Sequence, residues 1–302
     1  MLGISTCWWS NRLCRGEEII SDALNLGIRA LELEYRISNP VFHQMKPRLR
    51  KDITVLSIHN FFPIPEGISP DRASGDLFLL SSPDLGERSE AVRYSIRTIE
   101  HAYELGAKAV VFHLGKVDMP DPTSNLIKLY KNEKVGKREA LSFVEEQRKI
   151  RKMSKEKNID AVLLSLEELN REAGKRGVLL GVENRNHFHE IPDLEEIGII
   201  LSKFKGGNIG YWHDVGHARV QENMGLINQR NLLDAYSDEM IGIHLHDIRG
   251  LEDHLAPGQG DMDYHEIKPF MKPSLITILE VHPQTTKKEL LKGIRLIKKD
   301  IL

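Results

Sequence analysis

The chain has 302 residues, with 42 Lys and Arg against 44 Asp and Glu, so its net charge of −2 gives no general attraction to nucleic acid or membranes. Apolar residues make up 40% of the chain, and no apolar run reaches the roughly 18 residues of a membrane span, which predicts a globular protein. Two cysteines and the lack of a charged and apolar leader favour a reducing, cytoplasmic location.

Short apolar runs alternate with longer amphipathic segments along the chain. The predicted strands are residues 2–5, 30–34, 54–59, 109–113, 178–183, 209–213, 241–246 and 276–281. The predicted helices include residues 17–26, 87–105, 192–204, 232–240 and 287–299, with an irregular loop before 232–240. This alternation predicts parallel strands in one α/β domain over residues 1–302, a (β/α)₈ TIM barrel. A doubly wound sheet is the alternative, but the first βα turn has no Gly-rich phosphate fingerprint.

A long helical stretch follows the fourth predicted strand, and we interpret residues of about 120–160 as a Lys-rich helical insertion. Residues 128–157 contain 11 Lys or Arg and 5 Glu, a local charge of about +6. The main interpretation is a solvated face that covers one side of the barrel. A contact between copies in a homo-oligomer and a patch for a phosphate backbone remain as alternatives.

Six consecutive predicted strands, from the third to the eighth, have a histidine or an acidic residue at or next to their C-terminal end. Packed cores reject charge, and the C-terminal ends of barrel strands carry the active site, so these side chains predict a divalent metal site. Two further histidines, His217 and His254, lie just beyond strands six and seven. The strand-end residues are His59, His113, Glu183, Asp214, His244 with His246, and Glu280.

Imidazole and carboxylate donors without a thiolate favour Mn²⁺ or Zn²⁺, with Co²⁺ and Fe²⁺ as further options. No Walker or dinucleotide motif is evident, so no nucleotide cofactor is expected. His246 lies two residues after His244 on the same strand face, which indicates either support of the metal shell or a substrate contact. The minimal ligand set takes one residue from each of strands five to eight: Glu183, Asp214, His244 and Glu280.

An ordered set of motifs resembles the xylose isomerase-like barrel superfamily. That group includes sugar and sugar-phosphate isomerases and epimerases, inosose dehydratases, and DNA repair enzymes of the apurinic endonuclease IV type. The resemblance runs from strand three to strand eight. Its motifs are Val182-Glu-Asn184, Trp212-His-Asp-Val-Gly-His217, His244-Leu-His-Asp247, His254-Leu-Ala-Pro-Gly-Gln-Gly260 with Asp261-Met-Asp263, and Leu279-Glu280.

The isomerase and epimerase branch implies one divalent ion and an enediolate formed from a sugar, a sugar phosphate or a related polyol. Glu183 and Glu280 would serve as the acid and base pair, and His217 would hold a substrate oxygen. The expected partner is therefore a small carbohydrate. Lys116 and Arg249 are candidates for a distal hydroxyl or phosphate, or are simply charges at the rim. The remaining substrate-binding candidates are His59, His113, Asn184, His246 and His254.

The repair branch implies a different activity, hydrolysis of DNA at apurinic sites by several zinc ions. His59, His113, His217 and His254 would then be additional ligands, and Glu183 would bridge two ions. Glu252 departs from this branch, which has Asp two residues before the last histidine. Apart from the insertion, the loops show no series of basic and aromatic residues for a DNA strand, so nucleic acid is the less favoured partner. A dehydratase and a non-enzymatic barrel are further alternatives.

Overall fold

The fold is that of a computed structural model, which describes residues 1–10 and 15–302. Eight of its strands are parallel and close into a barrel, so the predicted (β/α)₈ fold is confirmed. The barrel strands are β1 (Leu2–Ser5), β2 (Ala30–Leu33), β3 (Thr54–His59), β4 (Ala109–Phe112), β5 (Leu179–Glu183), β6 (Ile209–Asp214), β7 (Met240–Leu245) and β10 (Ile276–Leu279). Their order around the barrel is β1-β10-β7-β6-β5-β4-β3-β2, and β8 (Asp247–Arg249) and β9 (Glu252–Leu255) form a separate antiparallel hairpin.

Helices pack around the barrel. The helix that spans Leu85–Leu105 has a capping residue at each end. The N-cap Asp84 accepts a hydrogen bond of 2.8 Å from the backbone of Glu87, and the same helix stops at Gly106, whose φ is 70°. None of the helices in residues 1–10 and 15–302 combines the length and apolarity of a membrane crossing. The helices are α1 (Gly16–Asn25), α2 (Asn39–Met45), α3 (Leu85–Leu105), α4 (Thr123–Lys131), α5 (Arg138–Ser154), α6 (Glu156–Arg176), α7 (Leu194–Lys203), α8 (Val215–Asn223), α9 (Gln229–Tyr236) and α10 (Lys287–Asp300).

The irregular loop predicted after strand six is wrong, because α8 begins directly after β6 and α9 covers residues 229–236 rather than 232–240. Asp214 caps α8 by accepting a hydrogen bond of 2.7 Å from the backbone of His217. The helix has no apolar stripe in its sequence, since it carries Gly216 and His217 in its first turn. The sequence pattern also does not predict α2 or the hairpin β8–β9.

The barrel interior has an apolar layer beneath its polar rim. Trp212 fills this layer, and its indole lies against Gly181 and Gly242, where an added Cβ would come within 2.7 and 2.1 Å of the ring. Because side chains alternate along a strand, the inward residue two positions after each of these three lies at the rim. Those residues are Glu183, Asp214 and His244. The strand period therefore places three predicted ligands in one layer.

The predicted insertion corresponds to α4, α5 and the start of α6, between β4 and β5. Arg151 of α5 is 4% exposed and fastens this region to the segment after β5. It donates to the carbonyl oxygens of Phe188 (2.7 Å) and Glu190 (2.9 Å) and to the carboxylate of Glu196 (2.6 Å). A buried arginine with these partners holds α5 in a fixed position against the barrel.

Candidate metal centre

Four predicted ligands converge at the C-terminal end of the barrel. Each of Glu183, Asp214, His244 and Glu280 offers a donor atom within 4.8 Å of the other three. Nδ1 of His244 lies 2.7 Å from Oε1 of Glu183, 3.1 Å from Oε2 of Glu280 and 3.6 Å from Oδ2 of Asp214. All four side chains are buried. The structure thus brings together residues that are up to 97 positions apart in the sequence.

The donor set fits a divalent transition metal. Ligands held about 2.0–2.2 Å from one ion lie roughly 3–4 Å from each other, and the separations from His244 fall in or close to that range. Within residues 1–10 and 15–302, no lysine or arginine contacts Asp214 or Glu280. Clustered buried carboxylates are costly without a cation, so the chemistry of the cluster favours one. Mn²⁺ or Zn²⁺ remains the predicted metal.

His244 is oriented by a carboxylate that the sequence analysis did not identify. Nε2 of His244 lies 3.1 Å from both oxygens of Glu32, and Ser57 donates to the same carboxylate at 2.7 Å. Glu32 accepts the Nε2 proton, which leaves Nδ1 to face the three carboxylates. The alternation of Leu31-Glu-Leu-Glu34 at the end of β2 is the signal that points to this residue.

The Glu32→Gln variant is expected to bind Zn²⁺ or Mn²⁺ about 10–100-fold more weakly than the original chain, because His244 loses its anionic partner. Isothermal titration with the metal alone measures this change. Glu34→Gln is the matched control, since it alters a buried carboxylate directly after the same strand, and the partner of that carboxylate at 3.0 Å is Arg36. Equal metal affinity of the Glu32→Gln and original proteins would contradict the assigned role.

Asp214 is held by two of the predicted substrate-binding residues. Asn184 accepts from the backbone N–H of Asp214 at 2.8 Å and donates to its carbonyl at 2.9 Å. Nδ1 of His246 accepts the backbone N–H of His254 at 2.7 Å, so Nε2 carries the proton and donates to Asp214 at 3.0 Å. In this geometry His246 contacts Asp214, a member of the central group, and its role as a support or as a substrate contact stays a prediction.

Three further histidines present Nε2 towards the same end of the barrel. In each, Nδ1 faces an oxygen that accepts a hydrogen bond, which places the proton on Nδ1 and leaves the lone pair on Nε2. The contacts of Nδ1 are His59 with the carbonyl of Asn60 (3.0 Å), His113 with the carboxylate of Asp76 (2.8 Å), and His217 with the carbonyl of Asn184 (3.1 Å).

The donor groups overlap. His59, His113 and Glu183 form one group with donors within 4.8 Å, and Asp214, His217 and His254 form another. Each shares one carboxylate with the central group of four. A shared carboxylate can bridge two ions, so the ligand types alone permit more than one metal. His254 lies on β9 with a φ of 56°, and its Nε2 lies 3.7 Å from Oε2 of Glu280.

Electrostatic interactions keep the central carboxylates ionised. Burial opposes the charged form of Glu280, yet His244 and His254 hold its pKa well below the ordinary carboxyl value. Burial likewise opposes a charged imidazole at His244, but Glu280 and Glu32 hold the pKa of His244 well above its ordinary value. The cluster therefore attracts positive charge strongly, which a divalent ion would supply more fully than a single proton.

A cavity of about 290 Å³ opens above the cluster. It is lined by the metal-type histidines and by Arg185, Asp76 and Tyr35, none of which the sequence analysis identified. Asp76 comes from the long segment between β3 and α3, where no sequence signal marks it. Neither Lys116 nor Arg249 is among the lining residues: Lys116 is exposed, and Arg249 donates to the carbonyl of Gln259. Their contact with a distal substrate group stays a prediction.

Comparison with known protein families identifies the family of the fold. A family model described as the xylose isomerase-like TIM barrel matches residues 20–299. No curated protein sequence matches the chain.

Solved structures of sugar epimerases superpose along almost the whole chain. The 3-keto-D-glucoside 4-epimerase of E. coli has a TM-score of 0.67 at 12% identity and covers 99% of this chain and 98% of its own. D-psicose 3-epimerase of Clostridium cellulolyticum has a TM-score of 0.67 at 14% identity, with 99% of each chain covered. A Thermus thermophilus protein soaked with ZnCl₂ has a TM-score of 0.59 at 21% identity, with 99% and 98% covered. At these identities the likeness concerns the fold alone.

Proposed function

We propose, from the premise that this chain belongs to the xylose isomerase-like TIM-barrel family, that it is a divalent-metal-dependent epimerase or isomerase of a small keto sugar or its phosphate. One observation carries the proposal: two buried carboxylates, Glu183 and Glu280, meet at one metal-type donor group beneath a polar cavity. Glu183 ends β5 and Glu280 directly follows β10, and β6 and β7 lie between these two strands in the barrel. A substrate above the cluster would therefore lie between two possible proton carriers.

The proposed reaction moves a proton at a carbon next to a carbonyl group. Glu183 would remove that proton as general base, and Glu280 would return one from the other side, or the reverse in the opposite direction. A bound divalent ion would supply a Lewis acid for the carbonyl oxygen. His217 would hold a substrate oxygen through Nε2, because its Nδ1 is engaged with the carbonyl of Asn184. In this mechanism the central group of four would hold the ion.

The cavity favours a small polar substrate. Its volume of about 290 Å³ is at the lower end of the roughly 300–1,000 Å³ typical of ligand sites. Imidazole, carboxylate and phenol groups line it, and these suit the many hydroxyl groups of a monosaccharide. The solved structures with the same fold include D-psicose, D-allulose and L-ribulose 3-epimerases, which supports ketoses as the first substrates to test.

Solvent exchange tests this function without knowledge of the true substrate. The metal-loaded protein would be incubated in D₂O with D-tagatose, D-psicose, L-ribulose and the corresponding phosphates. We expect NMR to show deuterium entering at the carbon next to the ketone in at least one of them, and no exchange in the metal-free protein. Lack of exchange in the whole panel with metal bound would refute a ketose epimerase or isomerase.

A second function, hydrolysis of a DNA phosphodiester, is favoured by one specific observation. The overlapping donor groups share Glu183 and Asp214, an arrangement that would suit several zinc ions and a bound hydroxide. Elemental analysis after zinc loading separates the two functions, because one ion per chain supports the epimerase and three support the nuclease. Incubation with duplex DNA that contains an abasic site tests the nuclease directly, and intact DNA would remove it.

A further inference from the structure

Arg185 lies at the junction of two donor groups. It follows Glu183 by two residues on the loop that leaves β5, and its side chain is 8% exposed. Nη1 lies 3.0 Å from Oε2 of Glu183 and within hydrogen-bonding distance of Nε2 of His113. The same two residues belong, with His59, to a group that has the spacing of a metal site.

Two of the three residues of that group, His113 and Glu183, already contact Arg185. Nδ1 of His113 faces Asp76 at 2.8 Å, while Nε2 lies 3.0 Å from Oε2 of Glu183 and within hydrogen-bonding distance of Nη1 of Arg185. With the proton on Nδ1, Nε2 holds the lone pair that Arg185 meets. A guanidinium only donates, which requires this nitrogen to accept. A nitrogen that accepts an N–H bond cannot bind a metal at the same time.

The charge of Arg185 is also balanced within the protein. Besides Glu183, its Nη2 lies 3.3 Å from Oε1 of Glu190 and 3.6 Å from Oδ2 of Asp76. Three carboxylates therefore surround one guanidinium, which leaves little attraction for an anionic substrate group. The backbone carbonyl of Glu190 accepts a hydrogen bond from Arg151, which holds this residue in position. The Arg185 side chain is therefore held by Glu183 on one side and by Glu190 on the other.

We infer that Arg185 is a resident cation that occupies the position of a second metal ion at His59, His113 and Glu183, and so excludes an ion from that group. This inference rests on the proposed metal function, because it assumes that the central group of four binds an ion. It assigns Arg185 a positioning role: it determines how many ions the centre holds and keeps Oε2 of Glu183 from bridging two of them. Glu183 is then free to act as a base rather than as a bridging ligand.

Zinc content after loading and desalting tests the inference in four proteins: the original chain, His113→Ala, Arg185→Ala and the double variant. We expect His113→Ala to retain the zinc content of the original chain, because His113 does not bind metal while Arg185 is present. Arg185→Ala should gain one zinc per chain, and the double variant should lose that additional ion. The readout is metal content by elemental analysis and does not depend on activity.

The outcomes separate this inference from the proposed function. If the original chain binds no divalent ion, both are overturned. If it binds zinc and His113→Ala loses one ion, Arg185 does not exclude metal and only the inference is overturned, and the same holds if Arg185→Ala gains none. Should Arg185→Ala fail to fold, the comparison of the original chain with His113→Ala alone supports or overturns the inference.

Discussion

Replacing Glu183 by glutamine is expected to lower the rate of solvent deuterium exchange into a ketose substrate by about 10³-fold or more. A neutral amide cannot accept the substrate proton, and a positioned general base contributes about 10²–10⁴-fold. A 10³-fold loss corresponds to about 4 kcal/mol of transition-state stabilisation. NMR of the exchange reaction at saturating metal gives the rate for both proteins.

Two companion measurements make the result specific to Glu183. Glu195→Gln is the matched control, because this carboxylate of α7 has a side chain 82% exposed and pairs with Lys155 at the surface. It should exchange deuterium at the original rate. Zinc content of Glu183→Gln separates loss of the base from loss of the ion. Exchange within tenfold of the original rate in Glu183→Gln would exclude Glu183 as the base.

Removal of the metal is expected to lower the melting temperature by about 5–10 °C. A ligand present at about 1,000 times its Kd stabilises the folded state by about 4 kcal/mol, and each kcal/mol corresponds to about 2 °C in a chain of this size. The physical reason is the buried cluster of Glu183, Asp214 and Glu280, whose negative charges repel one another when no cation lies between them. Calorimetric scans before and after dialysis against a chelator measure the shift.

Adding Zn²⁺ or Mn²⁺ back to the dialysed protein should restore the original melting temperature, whereas Mg²⁺ should restore less of it, because His244 is a poor ligand for Mg²⁺. The Asp214→Asn variant is the informative comparison, since it should melt at the same temperature with and without metal. An identical melting temperature for the metal-loaded and metal-free original chain would contradict a metal in the central group.

The barrel and the central group of four could be predicted from the sequence for one physical reason. Parallel strands are buried on both faces, so their apolar runs are easy to recognise. A charged residue at the end of such a run is costly to bury unless it is paired or binds a metal, and it therefore indicates a functional site. Glu183, Asp214, His244 and Glu280 each follow a short apolar run. Closure of the barrel then brings strand ends together whatever their distance along the chain.

Other parts of the site could not be predicted, because they depend on contacts that no local pattern records. Asp76 reaches His113 from the long segment between β3 and α3, whose path is set by packing rather than by periodicity. Arg185 lies in a loop whose sequence has no distinctive motif. Only its contacts with His113 and Glu183 in the folded chain mark it as part of the site. Helix α8 was not predicted because its sequence lacks the apolar stripe of an amphipathic helix, and its first turn lies at the C-terminal end of the barrel.

Arg151 connects α5 to the C-terminal end of the barrel through a chain of contacts. Arg151 grips the backbone at Glu190, and the side chain of Glu190 in turn holds Arg185 beside the cluster. A shortened chain without α5 would keep every ligand of the central group but would lose this support of the Arg185 guanidinium, which would retain only its contacts with Glu183 and Asp76 besides Glu190. We therefore expect removal of the outer helices to alter metal binding at the barrel mouth, although these helices hold no ligand.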